Sequence, residues 1–333
     1  MVPPEQRNPL LQYYGKPIHP FLEDPDVTEI CINGASNIYV ERGGRLHLTD
    51  ARFENDAQLE EFVRQIAHHL RQDIDGDTHP ILDARLEDGS RVNAILPPYS
   101  VGYVAVTIRP SPKHRMSLDD LLRLHMLDER IARRVEQAIA DGDSVMTAGG
   151  TGSGKTTLLR AFTQFIPRDE RVLIVEDTTE GLAPGHPHAV QLEAARRRRH
   201  ADDQLTVTMD ALITNTLRMR GDKIIVGEVR TPEAAAALFA ARNTGHSVPL
   251  STVHANSARD TFLRLRHLLA AANPSIPIAV HDETVRSNLR LVLHVRKVRV
   301  GDEVRRRVTE LIETREGEIR EVLRYDADAD TWH

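Results

Sequence analysis

The sequence is poor in the residues that mark several common classes of protein. It has one cysteine, Cys31, among 333 residues, so it can form neither an internal disulfide nor a four-thiolate zinc site. Cys31 stands in an apolar, strand-like run, where a lone thiol is expected to pack as a small core hydrophobe. No apolar run reaches about 18 residues, which excludes a transmembrane helix.

A secretory signal and a basic excess are also missing. The first residues lack the basic-then-apolar pattern of a leader peptide, so we expect a cytoplasmic protein. The net charge of -6 argues against a protein that coats nucleic acid. The basic residues are nevertheless uneven, with dense runs at Arg196–Arg199 and Arg305–Arg307. Each run is either a solvated loop or strand-flanking patch, or a surface for acidic partners or anionic lipid headgroups.

Length and pattern predict two domains. A chain of 333 residues exceeds one ordinary compact core and suits two. Residues 1–110 mix strand-like alternation with one helix-like stretch, which predicts a small α+β domain. Pro110, Ser111 and Pro112 then interrupt the pattern, because proline fits neither a helix interior nor a central strand. We therefore predict a linker over 111–118.

Residues 119–333 change to an alternation of apolar strands and helices. Strands are predicted at 144–147, 172–176, 224–227 and 249–253, and helices at 155–165, 209–219 and 232–242. This order predicts an α/β fold with a doubly wound, mostly parallel sheet. Such sheets bind ligands at the carboxyl ends of their strands, so functional residues are expected there.

A complete phosphate-binding motif follows the first of these strands. The segment Gly149–Thr156 matches G-x-x-x-x-G-K-[ST] and lies between a predicted strand and a predicted helix. Its glycines let the backbone approach phosphate oxygens, and the helix N-terminus offers N–H donors. Lys155 is expected to reach the β- and γ-phosphates of ATP, and the Thr156 hydroxyl to ligate Mg²⁺. The predicted nucleotide-binding residues here are Gly150, Thr151, Gly152, Ser153, Gly154, Lys155, Thr156 and Thr157.

Acidic residues close the next strands. The apolar strand from Lys223 ends in a carboxylate, and behind a phosphate loop we predict that Glu228 is the general base for an attacking water. Glu176, Asp177 and Glu180 place three acids within five residues after the preceding strand. Neighbouring carboxylates need a cation or hydrogen-bond donors to balance them. A Mg²⁺ site, a water-positioning role and a solvated loop are all compatible with this pattern.

Histidines and arginines complete the candidate site. His246 and His254 border the last predicted strand, where a neutral imidazole is suited to sensing a γ-phosphate. Phosphoryl transfer also needs positive charge on its transition state, often from an arginine. The candidate arginines, which the residues alone do not rank, are Arg91, Arg109, Arg218, Arg220 and Arg230.

The order of these elements resembles the secretion ATPase superfamily, the hexameric motors of type II and type IV secretion, pilus and conjugation systems. The resemblance names a Walker A segment, an Asp box, a Walker B strand and a His box. The early residues 24–33, 91–98 and 107–109 are similar to the first domain of type IV secretion traffic ATPases. The likeness covers residues 20 to 312, about the whole chain.

The resemblance implies a RecA-like P-loop domain after the α+β domain, and ATP with Mg²⁺ as its ligands. The catalytic residues it implies are Lys155, Glu176, Glu228 and His254. It places Thr156 and Asp177 on the metal and Arg91 and Arg109 near the nucleotide. Ser247-Val248-Pro249 departs from the small residues usual before the second histidine, which weakens the role of His246.

A homohexamer at an inner-membrane secretion or conjugation complex is the implied assembly, with peripheral membrane association and no sequence-specific nucleic-acid binding. A pilus retraction or assembly motor is the alternative, although those motors often carry a four-cysteine module that one cysteine excludes. A RecA-like nucleic-acid translocase would need a basic channel, which the acidic balance disfavours. A low-turnover scaffold does not need Glu228, and a small-molecule kinase needs neither the paired histidines nor two acidic clusters.

Overall fold

Two structural units, Met1–Arg115 and Met116–His333, divide the chain. The computed structural model describes residues 13–70, 72–86, 88–111, 115–194, 196–199, 203–301 and 303–333. For residues 196–199 and 203–206 it describes the backbone only. Residues 112–114 of the predicted linker lie outside the described residues.

The first unit is one antiparallel sheet with helices, as its alternating pattern predicts. Its elements are α1 (His19–Glu23), β1 (Val27–Asn33), β2 (Ile38–Arg42), β3 (Arg45–Leu48), α2 (Asp56–His69), β4 (Ile81–Arg85), β5 (Arg91–Ile95) and β6 (Ala105–Arg109). The strands follow the order β3-β2-β1-β6-β5-β4 in the sheet. The side chain of Asn55 caps α2 by accepting the N–H of Gln58, and Leu59, Phe62 and Ile66 bury one face of the helix in the core of the unit.

Cys31 does not belong to that core, so the prediction of a small core hydrophobe is wrong. Successive side chains of a strand point to opposite faces. Ile30 and Ile32 of β1 are fully buried, and Cys31 lies between them on the other face, where it is partly buried. Burial and the neighbouring carboxylates Glu29 and Glu41 raise the pKa of its thiol, which favours the protonated form.

The second unit alternates helices and strands over most of its length. Before the phosphate loop lie α3 (Leu118–Arg123), α4 (Glu129–Ala140) and β7 (Val145–Gly149). After it follow α5 (Lys155–Phe162), β8 (Val172–Glu176), β9 (Ala189–Glu193), β10 (Arg196–Arg199), β11 (Asp203–Thr206), α6 (Met209–Thr216), β12 (Lys223–Val226), α7 (Pro232–Asn243), β13 (Leu250–Val253), α8 (Ala258–Ala272) and α9 (Ile278–Asn288). The chain ends with β14 (Leu291–Val300), β15 (Glu303–Arg315), β16 (Glu318–Asp326) and β17 (Thr331–Trp332).

A nine-stranded sheet of order β17-β16-β15-β14-β7-β13-β12-β8-β9 forms the centre of this unit. The strands from β14 to β9 are parallel to one another. One apolar core packs α3, α4 and α5 on one face, and a second packs α6 to α9 on the other. The predicted doubly wound α/β sheet is therefore confirmed.

Several elements of this unit differ from the sequence expectations, and the predicted helix 209–219 ends at Thr216. The predicted helix 155–165 is an α-helix only to Phe162, and Thr163–Phe165 form a 3-10 turn. The antiparallel extension from β15 to β17 was not predicted, because its strands carry charged residues on one face and lack a continuous apolar run. A register shift at Thr309 brings Val308 and Leu311 of β15 to the same face, where they join Leu323 of β16 in one core.

The prediction that Arg305–Arg307 form a solvated or partner-facing patch is wrong for Arg307. Its side chain is 1% exposed and donates from Nε and Nη2 to the two carboxylate oxygens of Asp330, at 2.9 and 3.1 Å. Its Nη1 donates to the carbonyl of Leu124 at 3.1 Å. Neighbours on a strand point to opposite faces, so Arg306 is exposed while Arg307 is buried.

The other basic run also differs in backbone structure. Arg196–Arg199 form β10, which pairs antiparallel with β11, and so are not a loop. Their side chains lie outside the described residues, and a contact of this run with lipid or a partner protein stays a prediction.

Candidate active site

The phosphate loop fills the turn between β7 and α5, and close contacts require glycine at two of its positions. A Cβ at Gly149 would lie 2.2 Å from the carbonyl oxygen of Val295 on β14, and one at Gly154 would lie 2.6 Å from the side chain of Met126. Gly152 and Gly154 have φ angles of +66° and +106°, in the left-handed region that favours glycine. The loop therefore turns tightly enough to direct the N–H groups of the first turn of α5 outward.

Lys155, the first residue of α5, points back over this loop. Its Nζ donates to the carbonyls of Gly149 and Gly150 at 3.0 and 2.9 Å and lies 3.4 Å from Nδ1 of His254. The side chain is buried, and desolvation lowers its pKa although the nearby Glu228 opposes that shift. A buried ammonium with only carbonyl and imidazole acceptors is a favourable partner for an anion.

Glu228 directly follows Gly227 after β12 and lies in contact with His254. Nε2 of His254 is 2.9 Å from Oε1 of Glu228, and Nη2 of Arg230 donates to Oε2 at 2.9 Å. Burial opposes ionisation of this carboxyl, but Arg230, His254 and Lys155 more than offset it, so its pKa is below the ordinary value. Glu228 therefore carries a negative charge at neutral pH.

His254 connects the loop lysine to this carboxylate. It follows β13 directly, and its two ring nitrogens contact Lys155 and Glu228. Nδ1 can accept a hydrogen bond from the ammonium, whereas Nε2 approaches Oε1 of Glu228 without the alignment of a hydrogen bond, so that buried oxygen has no hydrogen-bond donor among the described residues. The structure thus brings together three of the predicted catalytic residues.

The acidic segment at the end of β8, residues 176–180, is connected to Glu228 by Arg230. Nη1 of Arg230 donates to Oδ2 of Asp177 at 3.2 Å while Nη2 holds Glu228, so one guanidinium joins the two acidic segments. The cation that balances these carboxylates is therefore an arginine of the chain. Glu176 is buried, and its Oε1 accepts the N–H of Glu180 at 2.8 Å, which orders the turn after the strand.

Arg230 is the candidate arginine that the structure ranks first, and the sequence pattern offered a signal for it. It stands two residues after Glu228, and in extended backbone such residues share a side. Arg218 and Arg220 instead precede β12, and Arg220 pairs with Asp222 at 3.4 Å, away from the carboxyl ends of the strands. In the first unit Arg91 and Arg109 are cross-strand register partners on β5 and β6. Their contact with nucleotide stays a prediction.

His246 and His254 lie at opposite ends of β13, and so at opposite ends of the parallel strands. The residue after it, Ser247, accepts the N–H of Ile224 at the start of β12, at 2.8 Å. His246 therefore precedes β13 whereas His254 follows it, and a strand of four residues separates them by about 13 Å. The expectation that both histidines of one chain sense the same phosphate does not fit this geometry.

The predicted metal ligands, Thr156 and Asp177, lie at the end of the sheet that carries the phosphate loop. Thr156 is in the first turn of α5, and Asp177 directly follows β8. Across the described part of the chain, no three His, Cys, Asp or Glu side chains cluster as a metal cage. Mg²⁺ takes one or two protein ligands beside waters and substrate phosphates, so a hydroxyl and a carboxylate fit this ion.

Comparisons with known proteins agree with the fold. The family model for type II/IV secretion system proteins matches residues 13–324. A putative conjugal transfer protein of Mycobacterium tuberculosis is 32% identical over 319 residues, which are 93% of this chain and 88% of that protein. The conjugal transfer protein TrbB of Rhizobium radiobacter is 36% identical over 268 residues, 79% of each chain.

A solved structure shows the same architecture. The ATPase DotB of Legionella pneumophila aligns with a TM-score of 0.62 at 24% identity, over 92% of this chain and 80% of that one. The predicted RecA-like P-loop fold is confirmed by this likeness.

Gly149→Ala is expected to destabilise the second unit by about 1–3 kcal/mol, because its methyl group would overlap the Val295 carbonyl. Gly150→Ala is the matched control, since a Cβ there would have no heavy atom within 4 Å, and it should change stability by less than about 1 kcal/mol. The chain's one tryptophan, Trp332, reports urea unfolding of this unit by fluorescence. Equal losses in the two variants would contradict the steric account of Gly149.

Proposed function

Because the chain belongs to the type II/IV secretion system protein family, we propose that it is an ATPase that powers a type IV secretion or conjugation machine. The observation that carries the proposal is the connected set Lys155, His254 and Glu228. It joins the phosphate loop to a carboxylate at the end of a neighbouring strand. This arrangement supplies both a phosphate site and a group that can act on water.

Phosphate binding rests on the loop and on Lys155. In the free protein the ammonium donates to two carbonyls of its own loop. Phosphate oxygens are charged acceptors, so they form stronger hydrogen bonds with the ammonium than carbonyls do. We infer that a nucleotide draws Lys155 away from Gly149 and Gly150, while Gly150 to Thr157 surround its phosphates.

Glu228 is the proposed base. Its carboxylate is ionised at neutral pH and held from one side by Arg230 and from the other by His254. A carboxylate of lowered pKa is a weak proton acceptor, so we assign it chiefly to orienting the attacking water. His254 keeps the carboxylate next to the lysine, and Glu176 orders the acidic turn nearby.

The ligands we propose are ATP and Mg²⁺, with the ion held by Thr156 and Asp177. When bound, Mg²⁺ neutralises charge on the phosphates. Asp177 pairs with Arg230 in this structure, so the two partners would separate for Asp177 to serve the ion. Arg91 and Arg109 of the first unit are the further arginines we propose for the nucleotide.

The conjugal transfer names of the two relatives favour secretion or conjugation over the alternative, a pilus retraction or assembly motor. We propose a homohexamer at the cytoplasmic face of an inner-membrane complex, with the α+β domain 1–110 and the ATPase domain 119–333 as its parts. In the ranges that the structure describes, no helix has the length and apolarity to cross a membrane.

Lys155→Ala should abolish ATP turnover and weaken ATP binding, because the phosphates lose their buried cation. Glu228→Gln should keep ATP affinity and lower kcat by roughly 10²-fold or more, because the uncharged amide orients the attacking water less strongly and cannot accept its proton. Glu136→Gln, the same change on an exposed face of α4, is the control and should leave both unchanged. Phosphate release and titration with a fluorescent ATP analogue measure the two effects. Near-normal turnover by Glu228→Gln would refute the assignment of the base.

Light scattering after size exclusion tests the proposed ring. The expected mass with ATP and Mg²⁺ is six times the chain mass of 37.4 kDa. A monomer under every nucleotide condition would contradict the motor while leaving the ATPase site untouched.

A further inference from the structure

The hairpin of β14 and β15 extends past the sheet beside the phosphate loop. Val295 of β14 is the register partner of Gly149, the last residue of β7. The hairpin continues beyond that point, where Lys297 and Arg306 are direct cross-strand partners. These residues share one face of the hairpin, since direct partners on antiparallel strands point the same way.

Both side chains of this cation pair, Lys297 and Arg306, lie against the loop. Nε of Arg306 donates to the carbonyl of Gly152 at 3.1 Å. A Cβ at Gly152 would be 3.7 Å from Nζ of Lys297, and a Cβ at Gly154 would be 3.4 Å from Cδ of Arg306. The cation pair thus covers the two left-handed glycines of the phosphate loop.

This placement is electrostatically unfavourable by itself. Like charges directly opposite each other on antiparallel strands repel. The neighbouring Arg305 and Arg307 have carboxylate partners in Glu303 and Asp330. For the cation pair, the described residues supply no ion-pairing carboxylate. An anion bound at the loop would relieve the repulsion, and Arg306 still has its Nη donors available after Nε is used by Gly152.

We propose that Lys297 and Arg306 are nucleotide-binding residues that contact the polyphosphate held by the loop. The inference rests on the proposed function and adds a second cationic contact, from the hairpin, to the one that Lys155 makes. Arg306 also holds the Gly152 carbonyl, so it keeps the loop in the conformation that receives phosphate. The ligand class is a nucleoside di- or triphosphate, because the cations lie at the loop itself.

The test measures the affinity of the full chain for ATP, ADP and adenosine by displacement of a fluorescent nucleotide. Lys297→Ala and Arg306→Ala should each weaken ATP and ADP binding roughly tenfold, as expected for a charge-assisted hydrogen bond. Adenosine, which has no phosphate, should bind each variant as it binds the wild type. Both residues are exposed, and an unchanged urea midpoint will show that the variants fold.

Arg299→Ala is the matched control. Arg299 is exposed on the same strand and face as Lys297, two residues farther from the phosphate loop. Its replacement by alanine therefore removes one positive charge from the hairpin but no contact with the loop. It should change ADP affinity by less than about twofold. If Arg299→Ala weakens binding as much as Arg306→Ala, the net charge of the hairpin is responsible and the proposed contact is wrong.

Lys155→Ala separates failure of this inference from failure of the proposed function. If wild-type binding does not depend on Lys155, the proposed function fails and the inference fails with it. If binding depends on Lys155 but Lys297→Ala and Arg306→Ala bind ADP within twofold of the wild type, only the inference is overturned. Equal weakening of ADP and adenosine would also overturn it, because the phosphates would then not be what the pair contacts.

Discussion

The parallel register of β7, β13, β12 and β8 is the constraint on which the candidate site depends. Val253 pairs with Ala148, Val226 with Ser251 and Val175 with Val226, so the carboxyl ends of these four strands lie within about two residues of one another at one end of the sheet. The residues that follow them are the phosphate loop, His254, Glu228 and the acidic turn. A slip of one residue would turn every side chain of a strand to the other face and would remove its terminal residue from the site.

At that end of the sheet, charges of opposite sign alternate from Lys155 through His254 and Glu228 to Arg230 and Asp177. Two cations and two carboxylates lie there, and the imidazole of His254 lies between Lys155 and Glu228. Arg230 pairs with both carboxylates, whereas Lys155 has only carbonyl and imidazole acceptors. A polyphosphate would compete for Lys155, and a metal ion would compete for Asp177. Nucleotide binding and the arrangement around Glu228 are therefore coupled through shared partners.

The features of the fold and of the site that depend on short sequence segments could be predicted from the sequence. The spacing of Gly149, Gly154 and Lys155 and the apolar strand before Glu228 are signals within a few residues, and the fold follows from the order of such elements. The failures depend on long-range register. Arg307 was expected at the surface, but β15 buries it against Asp330 near the C-terminus. His246 was grouped with His254, because a sequence pattern does not say which edge of the sheet a loop occupies.

The central claim is that the end of β12 places the Glu228 carboxylate where it acts on water, so position matters as much as charge. Glu228→Asp keeps the charge and withdraws the carboxylate by one methylene. The direct measurement is the single-turnover rate of ATP hydrolysis by this variant with nucleotide bound at saturation. The account predicts a fall of roughly 10²-fold with unchanged ATP affinity, as expected for a displacement of about 1 Å. A rate close to that of the wild type would contradict it.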